Sequence, residues 1–195
     1  MRDAKTSELK LRILSALVLA PIVLAAIIIG APYIEIVMIV AGVAMAWEWD
    51  RICGDQKFGP GGMMVWAALI AAGFAAWQNR YDVALIITVG TMFAVYGVLR
   101  VAGNGRPGWA AAGAVVIGIP CVAAIWLRSG TELGLEITIW LVGVIWATDV
   151  GGYVFGRAIG GPKLAPRISP GKTWSGLAGA VAMAAIWGWG WGHWN

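Results

Sequence analysis

The stretch Val83–Leu99 reads VALIITVGTMFAVYGVL and contains no charged residue. Its apolar residues run on without the alternation of inward and outward side chains that is typical of membrane β-barrel strands. Inside hydrocarbon, only a helix or a closed barrel satisfies the hydrogen bonds of its own backbone. This stretch therefore predicts a membrane-spanning helix.

Six further apolar runs lie on either side of this stretch, each bounded by charged residues, glycine or proline. They are Ile13–Ile29, Tyr33–Trp47, Met63–Trp77, Trp109–Leu127, Ile137–Phe155 and Leu177–Trp194. Several are shorter than the roughly 20 residues that a perpendicular helix needs to cross a bilayer. Together the runs predict an all-α fold, a polytopic transmembrane helical bundle with about seven spans.

Composition excludes a soluble domain. Of the 195 residues, 60% are hydrophobic and only 12% are charged, which is too little polar surface to cover a core in water. The 28 glycines are scattered along the chain, as expected where small residues let transmembrane helices approach closely.

The basic residues predict an orientation in the membrane. Counted loop by loop, all but two of the 14 lysines and arginines lie on the side of the N-terminus, which the positive-inside rule assigns to the cytoplasm. The predicted organisation is a cytoplasmic segment at 1–12 and a transmembrane domain at 13–195, with a cytoplasmic basic loop at 156–175. A cleaved signal peptide over Met1–Ile29 is disfavoured because no clear small-x-small site follows it.

The net charge of +4 does not indicate nucleic acid as a partner. The basic residues occupy short loops between apolar runs and form no long stripe that could follow a duplex. Anionic membrane lipids and phosphorylated small molecules fit this distribution better.

The segment 149–176 reads DVGGYVFGRAIGGPKLAPRISPGKTWSG and is unlike the rest of the chain. Its glycines allow a ligand to approach the backbone closely. Its cations and hydroxyls are donors suited to phosphate oxygens, and they are Lys163, Arg167, Lys172, Ser169 and Thr173. The segment predicts a site for a phosphate-bearing ligand such as a triphosphate. The alternative is a positively charged loop that only contacts lipid headgroups.

Asp149 is the only charged residue in the run 137–155. A carboxylate within a membrane span is costly and usually functional, and this one could hold a divalent metal against phosphates. If the helix continues past glycines 151 and 152, Asp149, Tyr153 and Arg157 share one face. The alternative is structural: Asp149 pairs with Arg157 or caps a helix end.

Two other acidic residues, Glu35 and Glu48, lie near the ends of the predicted second span. Water reaches such positions, so we expect both carboxylates to be interfacial and without a special role.

The motifs D-x-G-x-Y-x-x-G-R and P-R-x-S-P-G-K-T-W-x-G, both within 149–176, resemble bacterial phosphatidate cytidylyltransferase, also called CDP-diacylglycerol synthase. The stretch Ala46–Trp49 at the end of the second run resembles that family too. The resemblance covers the N-terminal two-thirds of such an enzyme.

The resemblance implies that CTP and phosphatidate react at the cytoplasmic face of the inner (plasma) membrane. The products would be CDP-diacylglycerol and pyrophosphate, with Mg2+ as cofactor and a homodimer as the assembly. Carried onto this chain, Asp149 is a catalytic residue and the metal ligand, and Lys172 is the second catalytic residue. The implied substrate-binding residues are Lys163, Arg167, Ser169, Thr173 and Arg157.

Two departures from the family pattern accompany this resemblance. The family continues into a carboxylate-rich C-terminal element that nothing before Asn195 matches, and Ser175 occupies a position where the family often has an acidic or amide side chain. If Asn195 ends the polypeptide, the missing carboxylates predict weak or absent activity. The alternative function is that of a non-catalytic or degenerate relative that binds anionic lipid.

Overall fold

The structure is a computed structural model that describes residues 17–53, 59–103 and 106–194, with the side chain of Trp194 left out. The predicted segment 1–12 and the start of the first apolar run lie outside these residues. The described residues form seven helices: α1 (Leu17–Ile29), α2 (Tyr33–Cys53), α3 (Pro60–Trp77), α4 (Tyr81–Ala102), α5 (Pro107–Ser129), α6 (Gly134–Ala158) and α7 (Trp174–Trp194). Between α6 and α7 lies a hairpin of two short strands, β1 (Lys163–Ala165) and β2 (Ser169–Thr173).

Each predicted apolar run, where it is described, falls on one of these helices, and most helices extend a few residues beyond the run. Four of the described helices, α3, α4, α5 and α6, are long and apolar enough to cross a membrane. The prediction of a helical protein with several membrane-crossing helices is therefore confirmed. The count of seven spans stays a prediction, because α2 carries several charges and the described part of α1 is short.

The helix ends follow local sequence rules. Pro60 and Pro107 open α3 and α5, where a missing backbone N–H costs nothing. Gly103 ends α4 in the left-handed conformation with φ 67°, which a residue without a Cβ adopts readily. Proline and glycine therefore mark helix boundaries that the apolar runs alone do not define.

The chain divides into two compact units after Leu135. In the first unit, helices α2 to α5 pack side by side around a core of aliphatic side chains. Val95 and Ile125 are its largest fully buried residues, at 0% and 1% exposure. These side chains form the closely packed part of the first unit.

The prediction that Glu35 is reached by water is wrong. Glu35 is only 3% exposed, and the Ser129 hydroxyl donates a hydrogen bond to its Oε1 at 3.3 Å. Glu48, in contrast, is exposed and pairs with Arg51 at 3.6 Å. The two carboxylates differ in the face of α2 that they occupy, because Glu35 faces Ser129 of α5, whereas Glu48 lies on an exposed face next to the inward-facing Trp49 and Asp50.

The second unit contains α6 from Glu136 onward, the hairpin and α7. Its two helices meet at glycines: a Cβ placed on Gly151 would lie 2.5 Å from the carbonyl oxygen of Gly179, and one on Gly176 would lie 2.9 Å from that of Gly152. Small residues permit this backbone approach, as they do in membrane helix pairs. The pair Gly151-Gly152 thus serves helix packing and does not end α6.

Candidate active site

The predicted basic loop at 156–175 is largely ordered secondary structure. It comprises the last residues of α6, the hairpin and the first residues of α7. The strands are antiparallel, with Lys163 opposite Thr173 and Ala165 opposite Ser169, and the register shifts between these pairs. Because strand pairing holds this segment, its cations project from a defined backbone.

The hairpin cations are exposed and point in different directions. Lys163 shares the face of its partner Thr173, since cross-strand neighbours project from the same side. Lys172 precedes Thr173 in β2 and so projects from the other face. Arg167 lies in the connecting turn, which the Ile168 amide closes by donating to the Ala165 carbonyl at 3.1 Å. The cations therefore lie around the hairpin and do not share one face.

Thr173 is buried, at 6% exposure, and its hydroxyl is already bonded. The Gly176 amide donates to Thr173 Oγ1 at 3.1 Å, which is the geometry of an N-cap three residues before the receiving turn. Direct phosphate binding by Thr173 stays a prediction. The signal for the cap was present in the sequence, because a threonine directly before an apolar run is a common helix start.

The cap makes the hairpin continuous with the N-terminal end of α7. The first backbone N–H groups of a helix carry partial positive charge and attract anions. Lys172 lies immediately before this end, so its ammonium adds to the same positive field. The structure thus brings predicted phosphate-binding groups to the start of a long helix.

Helix α6 runs unbroken to Ala158, as the shared face of Asp149, Tyr153 and Arg157 requires. The Arg157 guanidinium donates to the Tyr153 hydroxyl at 2.9 Å and lies 5.8 Å from the ring centroid. Among the described residues nothing pairs with Asp149, which is exposed and lies within α6. Both structural alternatives for Asp149, an Arg157 pair and a helix cap, are therefore absent from this part of the chain.

Asp149 and the hairpin cations are separated along the fold. Asp149 precedes Arg157 by eight residues, which places it about 12 Å away along the helix axis. An extended ligand is needed to reach both the carboxylate and the hairpin. A nucleoside triphosphate has the length for this, which a single phosphate group lacks.

The residues around Asp149 fit a metal only in part. Within the described ranges, no three His, Cys, Asp or Glu side chains come together as a metal-ligand group. Mg2+ is commonly held by one or two carboxylates together with substrate phosphates and water. Asp149 can supply one such carboxylate, so the donor set suits a metal that arrives with a phosphate ligand.

Sequence reasoning missed the part played by Ser175. The sequence marked it only as a departure from a family pattern, whereas its hydroxyl bonds to both Thr173 and the Gly160 carbonyl. Only the tertiary contact with Gly160, 15 residues earlier, reveals this role.

Comparison with known proteins extends the motif resemblance to most of the chain. A family model described as the cytidylyltransferase family matches residues 10–193. The phosphatidate cytidylyltransferase of Brucella suis biovar 1 (strain 1330) is 36% identical over 184 residues, which cover 93% of this chain and 67% of that protein.

Two other bacteria supply relatives of the same name. That of Pseudomonas aeruginosa is 33% identical over 184 residues, covering 89% of this chain and 67% of that protein. That of Bacillus subtilis (strain 168) is 38% identical over 73 residues, covering 37% of this chain and 27% of that protein. No solved structure matches the chain. Since the family model covers nearly all of the sequence and these relatives share about a third of the matched residues, this protein belongs to the cytidylyltransferase family.

Proposed function

We propose that this protein transfers a cytidylyl group from CTP to phosphatidate, giving CDP-diacylglycerol and pyrophosphate. The chain is a nucleotidyltransferase by family, and the named relatives are phosphatidate cytidylyltransferases. Several apolar helices are consistent with a lipid substrate that stays in the membrane. The finer assignments below rest on the second unit.

The observation that carries the proposal is the basic hairpin running into the capped start of α7. Lys163, Arg167 and Lys172 are exposed there, within a few residues of one another on a paired backbone. Fixed cations and helix N–H groups stabilise negative charge as it develops, without a cost of reorganisation during reaction. We assign these cations to the triphosphate of CTP, with Ser169 and Arg157 as further phosphate donors.

In the proposed reaction, a phosphate oxygen of phosphatidate attacks the α-phosphorus of CTP and pyrophosphate leaves. The protein has little covalent chemistry to perform, so catalysis consists mainly of alignment and neutralisation of charge. Lys172 would neutralise charge on the reacting or leaving phosphate. Asp149 would be the protein ligand of Mg2+, which supplies further charge neutralisation when bound. Thr173 would act through the helix start that it caps.

We also propose seven membrane spans in the inner (plasma) membrane, with residues 1–12 and 156–175 in the cytoplasm. The distribution of lysine and arginine supports this orientation, and CTP is available on that side. A homodimer is proposed from the family resemblance.

The test is CTP- and Mg2+-dependent formation of CDP-diacylglycerol from phosphatidate by purified protein in detergent. We expect Lys172→Ala and Asp149→Asn each to lower kcat/KM by about 100-fold, as loss of a transition-state charge partner does. Arg100→Ala is the matched control, because it removes an exposed cation at the end of α4, far along the chain from the hairpin.

Three outcomes would contradict parts of the proposal. Full activity in both variants would place the reaction site elsewhere. A folded sample that shows no turnover, but binds CTP in a way that Lys172→Ala abolishes, would mean that the chain binds CTP without transferring its cytidylyl group. Binding of phosphatidate vesicles alone, with no CTP retained, would favour a protein that contacts anionic lipid.

A further inference from the structure

The base of the hairpin is closed by a chain of hydrogen bonds. Thr173 Oγ1 and Ser175 Oγ lie 3.0 Å apart, and the Ser175 hydroxyl donates to the Gly160 carbonyl. The Gly176 amide donates to Thr173 Oγ1 at 3.1 Å. Beside this chain, the Trp174 amide donates to the Pro162 carbonyl at 3.1 Å.

These bonds have one consistent direction. Ser175 has a single hydroxyl proton, which goes to the Gly160 carbonyl, so it can only accept from Thr173. The Thr173 hydroxyl therefore donates to Ser175 and accepts from the Gly176 amide. In this arrangement the proton of Thr173 is committed and is not available to a phosphate oxygen.

The chain of bonds links the two ends of the hairpin. Gly160 and Gly161 have φ of 66° and 100°, where the backbone turns from α6 toward β1. Thr173 ends β2 and opens α7. Ser175 thus ties the segment before β1 to the segment after β2, and no other described side chain joins these two points by a hydrogen bond.

Burial makes these bonds matter. Thr173 is 6% exposed, and a Cβ placed on Gly156 would lie 3.2 Å from its Oγ1. Water has little access to this hydroxyl, so removal of its acceptor leaves a buried donor unsatisfied. Linked hydrogen bonds of this kind also strengthen one another.

We infer that Ser175 is a positioning residue for CTP binding: through Thr173 and Gly160 it holds the two ends of the hairpin backbone, next to Lys163 and Lys172, at the start of α7. The inference rests on the proposed function for its kinetic consequence, although the link itself is a feature of the fold. Lys163 pairs with Thr173 across the strands, and Lys172 directly precedes it. Loss of the link would loosen the strand ends that carry both lysines.

The test compares Ser175→Ala with Ser175→Thr, which keeps a hydroxyl. We expect the alanine variant to raise KM for CTP by about three- to tenfold, the equivalent of one net hydrogen bond, while kcat changes little. The threonine variant should restore KM. Thr131→Ala is the control, because it removes a hydroxyl that donates to the Leu127 carbonyl in the first unit.

A second measurement does not depend on activity. Trypsin can cut after Lys163, Arg167 and Lys172 only when the hairpin opens locally. We expect Ser175→Ala to speed cleavage at these sites by a similar factor in the 195-residue protein in detergent, with Ser175→Thr and Thr131→Ala near the parent rate.

The two measurements separate the possible failures. Unchanged cleavage and unchanged KM in Ser175→Ala would overturn the inference. Faster cleavage in a protein that shows no cytidylyl transfer would support the link and count against the proposed function alone. Faster cleavage with KM for CTP unchanged, in a protein that is active, would show a purely structural role and overturn the positioning inference.

Discussion

The glycine contacts of the two units differ in one respect. In the first unit, glycines between helices receive side chains: a Cβ on Gly73 would meet Ile39, and one on Gly113 would meet Trp49. In the second unit, glycines 143 and 179 also receive side chains, but Gly151 and Gly176 face carbonyl oxygens of the neighbouring helix. A side chain can shift to another rotamer, whereas backbone cannot move without moving its helix. The second unit therefore tolerates less change at its helix contact.

This difference matters for function because the predicted site residues all lie in the second unit. The end of α6 and the start of α7 are held at backbone distance, and the hairpin joins them. This close helix contact fixes the separation of the two ends of the hairpin. The first unit supplies a packed helical core and none of the predicted phosphate-binding residues.

The largest loss of stability should come from placing a side chain in the glycine contact between α6 and α7. Gly151→Val would place side-chain atoms against the Gly179 carbonyl, so we expect a loss of about 3 kcal/mol or more in unfolding free energy. The measurement is denaturant unfolding in detergent, followed by helix content. Gly190→Val is the matched control, because a Cβ there meets no atom within 4 Å. Equal loss in both variants would show that helix propensity alone is responsible and that the contact is unimportant.

A smaller loss should follow from a cavity in the first unit. Ile125→Ala removes a side chain that is 1% exposed, and we expect a cost of about 2 kcal/mol, the low end for buried isoleucine. Lipid solvates apolar groups as well as a core does, which keeps the value low. Cytidylyl transfer by the folded fraction should be retained. A selective loss of activity without loss of stability would break the proposed division between the units.

The smallest effect is expected at the surface of the first unit. Arg51→Ala breaks the exposed pair with Glu48, which is worth less than about 0.5 kcal/mol for two charges three residues apart on a helix. The unfolding midpoint should be unchanged within error. A shift as large as that of Ile125→Ala would mean that this pair contacts something beyond its own helix.

Helix positions were predictable because the physical cause is local. A continuous apolar run must be helical to satisfy its backbone in hydrocarbon, and each predicted run, where it is described, lies on one helix. Helix ends were less accurate: α2 continues to Cys53 and includes Asp50, whose carboxylate accepts a hydrogen bond from the Gly59 amide. A partner nine residues away is needed to explain a buried charge at that end.

The candidate site was predictable in part. The sequence brought Lys163, Arg167, Lys172 and Asp149 to notice because charges and glycines are concentrated in an otherwise apolar chain. It did not predict that the basic segment is a hairpin, because strands of three and five residues carry almost no periodic signal.

By itself the sequence determined the class of the protein, the positions of its helices and the location of the segment to which we assign phosphate binding. These depend on composition and on residues that are close together in the chain. The tertiary structure alone decided that Glu35 is buried and that Ser175 reaches Gly160. Each of these depends on a partner brought near by packing, and no local pattern records which distant atom will accept a given proton.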